Sequence, residues 1–236
     1  MKALVLAAGK STRISKEAAD LPKPLLRLRS LPVLVHNLEL VKKHGIEEVW
    51  INLHYKPEMI KSEVGDGRKW GIHVKYSEEN ELLGTAGALK NLENEFKDET
   101  FLVLYGDNFT NCDLTLLVRE HKKSRPAGTV AVFDRDKNVN SGIAGGRVEI
   151  RGDKTIEKFT EGNGPANSNW INAGIYAFEP GVFSHISSGF SDFGRDVFPS
   201  LLKKGLVLKA YEMNGFCLAL DTPESYETAQ RLASGL

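Results

Sequence analysis

Apolar residues along this chain recur in two rhythms that take turns. Runs at 2–8, 47–53, 72–77 and 100–105 predict strands, and the segments at about 31–44, 57–64, 85–96 and 113–123 predict helices. This βαβα order predicts a mainly parallel sheet with helices on both faces. Right-handed crossovers follow from that architecture, and so does a ligand site beyond the carboxyl ends of the strands. Past residue 128 the rhythm changes. Thr129–Phe133, Arg147–Ile150, Thr155–Phe159 and Ile171–Phe178 read as strands separated by Gly, Asn and Asp clusters. Helices return at about 192–204 and 223–233, with strands near 206–212 and 216–220. No repeat and no low-complexity linker interrupts the chain, so one domain is expected over 1–236, with lobes of about 1–110 and 111–236.

The chain has 236 residues, 41% hydrophobic and 26% charged, as in ordinary globular proteins. Its 31 Lys and Arg balance 31 Asp and Glu, so no global field draws it to nucleic acid or to a membrane surface. Two cysteines, Cys112 and Cys217, are too few for a disulfide framework or a cysteine zinc site. No apolar run approaches the roughly 20 residues of a membrane span, and Gly9 and Lys10 arrive before a signal-peptide core forms. A reducing cytoplasm is the expected setting, with homo-oligomerisation left open. The six histidines show no ligand spacing. Lysine pairs at 42–43, 122–123 and 203–204 suit the negative ends of helix dipoles.

Candidate chemistry begins at the first strand. Leu6-Ala7-Ala8-Gly9-Lys10-Ser11-Thr12-Arg13 breaks from apolar to small, polar and cationic residues, and Lys23 follows between Pro22 and Pro24. Small residues let backbone N–H groups approach phosphate oxygens, while Arg13 and Lys23 offset their charge. A P-loop is excluded, because its first glycine would fall at Leu4. Asp107 ends an apolar strand and by the switch-point rule faces the ligand; a turn or cap is the plainer use of such an Asp. Asp221 precedes Thr222-Pro223, where a helix cap is the competing role.

The opening loop with Pro22-Lys23-Pro24-Leu25 resembles the signature of the sugar-1-phosphate nucleotidylyltransferases, with Ser11 where the family usually has a second glycine. The resemblance extends through Leu83-Gly84-Thr85-Ala86-Gly87, Asp107, Glu161 and Asn172-Ala173-Gly174-Ile175-Tyr176. It implies a Rossmann-like three-layer α/β/α nucleotidyltransferase fold with a mixed, mainly parallel sheet. The first lobe would bind nucleotide and the second the acceptor. The implied reaction joins an NTP, with GTP or UTP favoured, to a sugar 1-phosphate and releases pyrophosphate. Arg13, Lys23 and Asp107 would be catalytic. Leu6, Ala8, Gly9, Lys10, Ser11, Thr12, Gly84, Thr85 and Gly87 would hold the nucleotide, and Gly142, Glu161, Asn172 and Gly174 the sugar. Mg²⁺ would sit on Asp107 and Asp221, an ion content with one or two carboxylates plus phosphate oxygens and water. Two departures keep alternatives open. The family acid expected at 219 is Ala219, and Gly162 stands where a lysine usually grips the sugar phosphate. A cytidylyltransferase for a phosphorylated alcohol, or an impaired nucleotide-sugar-binding regulator, accommodates both.

Overall fold

A computed structural model describes residues 1–9, 20–137, 146–162 and 168–235. The first half lays down strand β1 (Lys2–Leu6), a small hairpin of β2 (Arg27–Leu28) and β3 (Leu31–Pro32), helix α1 (Val33–Lys43), β4 (Glu48–Leu53), α2 (Pro57–Val64) and β5 (His73–Glu78). Helices α3 (Gly84–Asn91) and α4 (Glu93–Phe96), strands β6 (Phe101–Tyr105) and β7 (Asn108–Thr110), and α5 (Leu114–Ser124) complete it. The second half contributes β8 (Gly128–Asp134), β9 (Arg147–Ile150), β10 (Ile156–Thr160), β11 (Trp170–Phe178), α6 (Phe198–Lys203), β12 (Leu208–Glu212), β13 (Cys217–Ala219) and α7 (Pro223–Ala233).

Nine strands join one mixed sheet in the order β10-β9-β11-β6-β1-β4-β5, with β8 pairing to β11 and β12 to β8. The central β6, β1, β4 and β5 are parallel, and β11 runs antiparallel to β6. Alternation along β1 shows why helices cover both faces. Ala3 and Val5 join the core beneath α1, α2 and α5, while Leu4 joins the one beneath α3, α4 and α6. The expected three-layer α/β/α fold with a mainly parallel sheet is borne out. A third apolar cluster seats α7 against the hairpin, β7 and β13. Among the described residues no helix is long and apolar enough to cross a membrane.

Where element ends differ from the sequence expectation, a specific contact explains it. Strand β1 stops at Leu6 because the Ala7 N–H donates to the Asn52 side-chain oxygen at 2.8 Å, leaving the ladder. The first long helix starts only at Val33, since Leu31–Pro32 folds back onto Arg27–Leu28. The helix expected at 192–204 opens as a π-turn over Phe193–Val197, with the Val197 N–H reaching the Asp192 carbonyl at 3.1 Å. Such wide turns often mark functional sites.

His121 of α5 is fully buried, with Nδ1 2.8 Å from the Thr129 hydroxyl and Nε2 3.3 Å from a Glu179 carboxylate oxygen. Burial lowers its pKa, and Glu179 only partly offsets that. The unfolded chain therefore takes a proton that the folded chain resists, so stability rises with pH across this window. Its contribution is complete above the ordinary histidine value of about 6.5 and is lost as pH falls below it. Melting temperature is expected to drop between pH 7 and 5.5, with a shallower drop in His121→Gln. Identical pH slopes for the two proteins exclude this histidine as the source.

Candidate functional site

The chain runs outward from β1 through β4 to β5 and then returns across β1 to add β6, so strand order reverses beside β1. A cavity of about 270 Å³ opens at the carboxyl ends of these strands, where the switch-point rule places ligands. Its walls include Leu6, Ala8 and Gly9 after β1, Asn52 of β4, Glu79 after β5 and Asp107 after β6.

Three charged residues from distant parts of the sequence meet at Asp107 in this wall. The Lys23 ammonium lies 2.6 Å from Asp107 Oδ2 and 2.8 Å from Asp221 Oδ1. Each partner is placed by a local device. The Lys23 N–H donates to the Gly9 carbonyl at 3.2 Å, and the Pro-Lys-Pro stretch forms a short 3-10 turn with Pro at its start. Asn37 of α1, itself buried, donates through Nδ2 to the carbonyls of Gly106 (3.3 Å) and Asn108 (2.9 Å), and so grips the turn that bears Asp107. Thr222 caps α7 in a capping box with Ser225, so the cap belongs to Thr222 and the Asp221 carboxylate meets Lys23. Burial alone would lower the Lys23 pKa, but the two carboxylates outweigh it and raise the value.

Asp107 and Asp221 thus converge on one cation. That donor set suits Mg²⁺, which prefers few carboxylates and completes its shell with phosphate oxygens and water. Among the described residues no group of three His, Cys, Asp or Glu is placed to hold a metal.

A hydrogen-bond network holds a further part of the cavity wall. Asn52 Nδ2 donates to Glu79 Oε1 at 2.8 Å, and Glu79 Oε2 accepts the Leu83 N–H at 3.1 Å. Together with the Ala7–Asn52 bond this locks the loop after β1 to the turn before α3. Gly84 has φ +73°, and a Cβ there would lie 2.5 Å from the Ser191 carbonyl oxygen; one on Gly87 would lie 2.3 Å from that of Gly189. Both glycines admit the backbone of 189–191. The Ala86 and Gly87 N–H groups donate to the Ser191 carbonyl, and Thr85 donates through both N–H and hydroxyl to Asp192 Oδ1. Gly84 and Thr85 line the cavity. Gly87 packs on the 189–191 segment.

The acceptor-side residues separate likewise. Asn172 is buried, donating to the Tyr176 hydroxyl at 2.8 Å and accepting from the Gly174 N–H at 3.0 Å. These bonds shape a bulge where the register of β11 on β8 shifts between Asn172 and Tyr176. Gly174 has φ +70°, and a Cβ there would lie 2.8 Å from the Tyr105 ring and 3.1 Å from Asn108 Nδ2. Tyr105 contacts the hydroxyls of Tyr176 and Thr85, and burial pushes its pKa up to about 12. Glu161 lies between the backbones of Gly146 and Gly194, where desolvation raises its pKa, with Arg195 opposing and Asp192 reinforcing the shift. Lys158 pairs with Glu149 at 3.3 Å. Lys10, Ser11, Thr12, Arg13 and Gly142 lie outside the described residues.

Asn52, Glu79, Asn37 and Asp192 escaped the sequence reading. A polar residue at the carboxyl end of an apolar parallel strand was the available signal for Asn52 and Glu79. Asn37 interrupts the apolar face of α1 between Leu34 and Leu38, a weaker signal.

Comparison with known proteins agrees with this geometry. Residues 2–233 match the family model described as nucleotidyl transferase. A UTP–glucose-1-phosphate uridylyltransferase from Synechocystis is 36% identical over 228 residues, which cover 91% of this chain and 58% of that protein. A mannose-1-phosphate guanylyltransferase from Mycobacterium tuberculosis is 32% identical over 226 residues, covering 95% of this chain and 62% of that protein. The chain therefore spans about three fifths of the length of these relatives. HddC from Yersinia pseudotuberculosis, crystallised with GMP-PN, superposes with TM-score 0.82 at 24% identity over 98% of both chains, a likeness of fold.

Removing the Asn37 amide leaves two buried carbonyls without their donor, a loss of about 1–3 kcal/mol. Asn37→Ala is expected to melt several degrees lower. Its hydrogen exchange should rise at residues 106–110, while exchange in the strap at 189–192 stays unchanged. Unaltered exchange at 106–110 removes Asn37 as the support of the Asp107 turn.

Proposed function

The chain belongs to the nucleotidyl transferase family, and from that premise we propose that it transfers a nucleoside monophosphate from an NTP to a sugar 1-phosphate. The products are an NDP-sugar and pyrophosphate. The observation that carries this reading is the convergence of Lys23 and Asp221 on Asp107, which lines a cavity at the carboxyl ends of the parallel strands. GTP and UTP are the favoured donors, since the curated relatives named above are a guanylyl- and a uridylyltransferase.

A phosphate monoester has a second pKa near 6, so at neutral pH it is largely a dianion and needs little help from a base. The barrier lies in bringing that dianion in line with the α-phosphate of a highly charged nucleotide. Positioning and charge compensation are therefore the chain's task. Lys23 neutralises charge at the α-phosphate, and Arg13 is assigned to the leaving pyrophosphate. Asp107 and Asp221 would hold Mg²⁺, which supplies Lewis-acid neutralisation of phosphoryl oxygens when bound. Ala8, Gly9, Gly84 and Thr85 border the nucleoside. Glu161 accepts hydrogen bonds from acceptor hydroxyls, and Asn172 and Gly174 shape that wall from within. Arg195, close to Glu161, supplies the cation that Gly162 does not.

One observation favours a second reading. Asp221, two residues beyond Ala219, is the acid that meets Lys23, and Asp221-Thr222-Pro223-Glu224 suits cytidylyltransferases that act on phosphorylated alcohols. Pyrophosphate release from GTP, UTP, CTP, dTTP and ATP, each with a panel of sugar 1-phosphates and alcohol phosphates, separates the two. Turnover with CTP and an alcohol phosphate alone selects the second reading. Ligand-induced stabilisation without turnover on any pair points to a regulator.

Asp107→Asn is expected to fold normally and to lose at least a hundredfold in turnover, the scale of other lost electrostatic groups. Asp221→Asn should follow it, whereas Ala219→Asp should not raise activity. Full activity in either asparagine variant removes that acid from the reaction.

A further inference from the structure

Two large apolar side chains at the mouth of the cavity are left in water: Phe190 is 63% exposed and Leu82 is 51% exposed. Both line the same opening. Isolated exposed apolar residues are ordinary, but a pair facing one cavity is a candidate contact surface. Phe193 and Phe198, a few residues on, stack on each other within the core. Phe190 joins no such ring pair among the described residues.

The backbone beneath the ring is firmly held. Gly189, at φ +83°, turns the chain, and the Ser191 N–H donates to the Leu83 carbonyl at 2.9 Å. The Ser191 carbonyl accepts from Ala86 (2.8 Å) and Gly87 (3.0 Å), and Asp192 accepts from Thr85. The segment that carries Phe190 is therefore tied by its backbone to the turn that carries Gly84, which keeps the ring beside the cavity opening.

We propose that Phe190 is a nucleotide-positioning residue whose ring stacks on the nucleobase of the incoming NTP, with Leu82 covering the base edge. This rests on the nucleotidyl-transfer reading and adds the element that holds the base. Of the two substrates, only the NTP carries a planar π-face; a sugar 1-phosphate presents hydroxyls and a dianion. Stacking tolerates any base because each has such a face. Choice between bases then falls to polar groups at the base edge, of which buried Glu79 is the charged one in the cavity wall nearest the Leu82–Gly84 turn.

Phe190→Ala and Phe190→Trp test this. In Phe190→Ala, KM for the NTP is expected to rise about tenfold, within the range of lost base–aromatic stacks. The loss should fall on that KM rather than on kcat, and KM for the sugar 1-phosphate should hold. Phe190→Trp is expected to restore the NTP KM. Its indole emission, taken as the difference from the wild-type protein with Trp50, Trp70 and Trp170, should be quenched by GTP or UTP without any acceptor. This signal needs no turnover, so it reads the stack even if every acceptor fails and the nucleotidyl-transfer reading falls. Inorganic tripolyphosphate should leave the emission unchanged. An unaltered NTP KM in Phe190→Ala overturns the proposal, as does quenching by sugar 1-phosphate alone or equally by tripolyphosphate.

Discussion

One ammonium shared by two carboxylates organises this molecule's chemistry. Lys23, Asp107 and Asp221 lie 84 and 114 residues apart along the chain, yet their charged atoms come within 2.8 Å. Partly buried charges of this kind tolerate no loose geometry: a lone carboxylate there would keep its desolvation cost without its partner. The side chains remain 12–26% exposed, so the pairing is screened and its net worth is modest. Its value lies in convergence. Two acids already aimed at one cation need little reorganisation when phosphates and a divalent ion compete for the same oxygens.

Holding that triad requires three independent supports, and each is a hydrogen bond made outside the triad's own side chains. Gly9 accepts from the Lys23 backbone, Asn37 grips the Asp107 turn, and Thr222 with Ser225 caps the helix that follows Asp221. The network of Ala7, Asn52, Glu79 and Leu83 repeats the pattern elsewhere in the cavity wall. Side chains replace ladder bonds at the carboxyl ends of the parallel strands, where the sheet stops and backbone groups would otherwise lack partners. The strand ends are thus rigid at the point where a ligand must be met.

Much of the fold was legible because its signals are local. Pro57–Val64, Arg147–Ile150 and Pro223–Ala233 end where periodicity, Pro, Gly and capping residues say they should. Asp107 and Lys23 were legible through motif and switch-point placement. What the sequence hid is non-local. Their own neighbours do not tell Asn37 of a partner 69 residues away or Glu79 of one 27 residues back. Nor did the sequence announce that the glycines at 84 and 87 also admit the backbone of 189–191. In the same way Asn172 and Gly174, expected at the sugar, also build the bulge and seat Tyr105.

The displaced acid illustrates how such a site absorbs change. Ala219 pairs with Asn108 across β13 and β7 and is buried, so a carboxylate at that position would lose most of its hydration. Two residues later the strand has ended and the chain is turning into α7. There Asp221 can extend toward Lys23 while Thr222 takes the cap. The division matters physically, because one carboxylate cannot serve both the helix N-terminus and the shared cation at full strength. With a hydroxyl assigned to the orphan N–H groups of α7, the negative charge of Asp221 is left for Lys23.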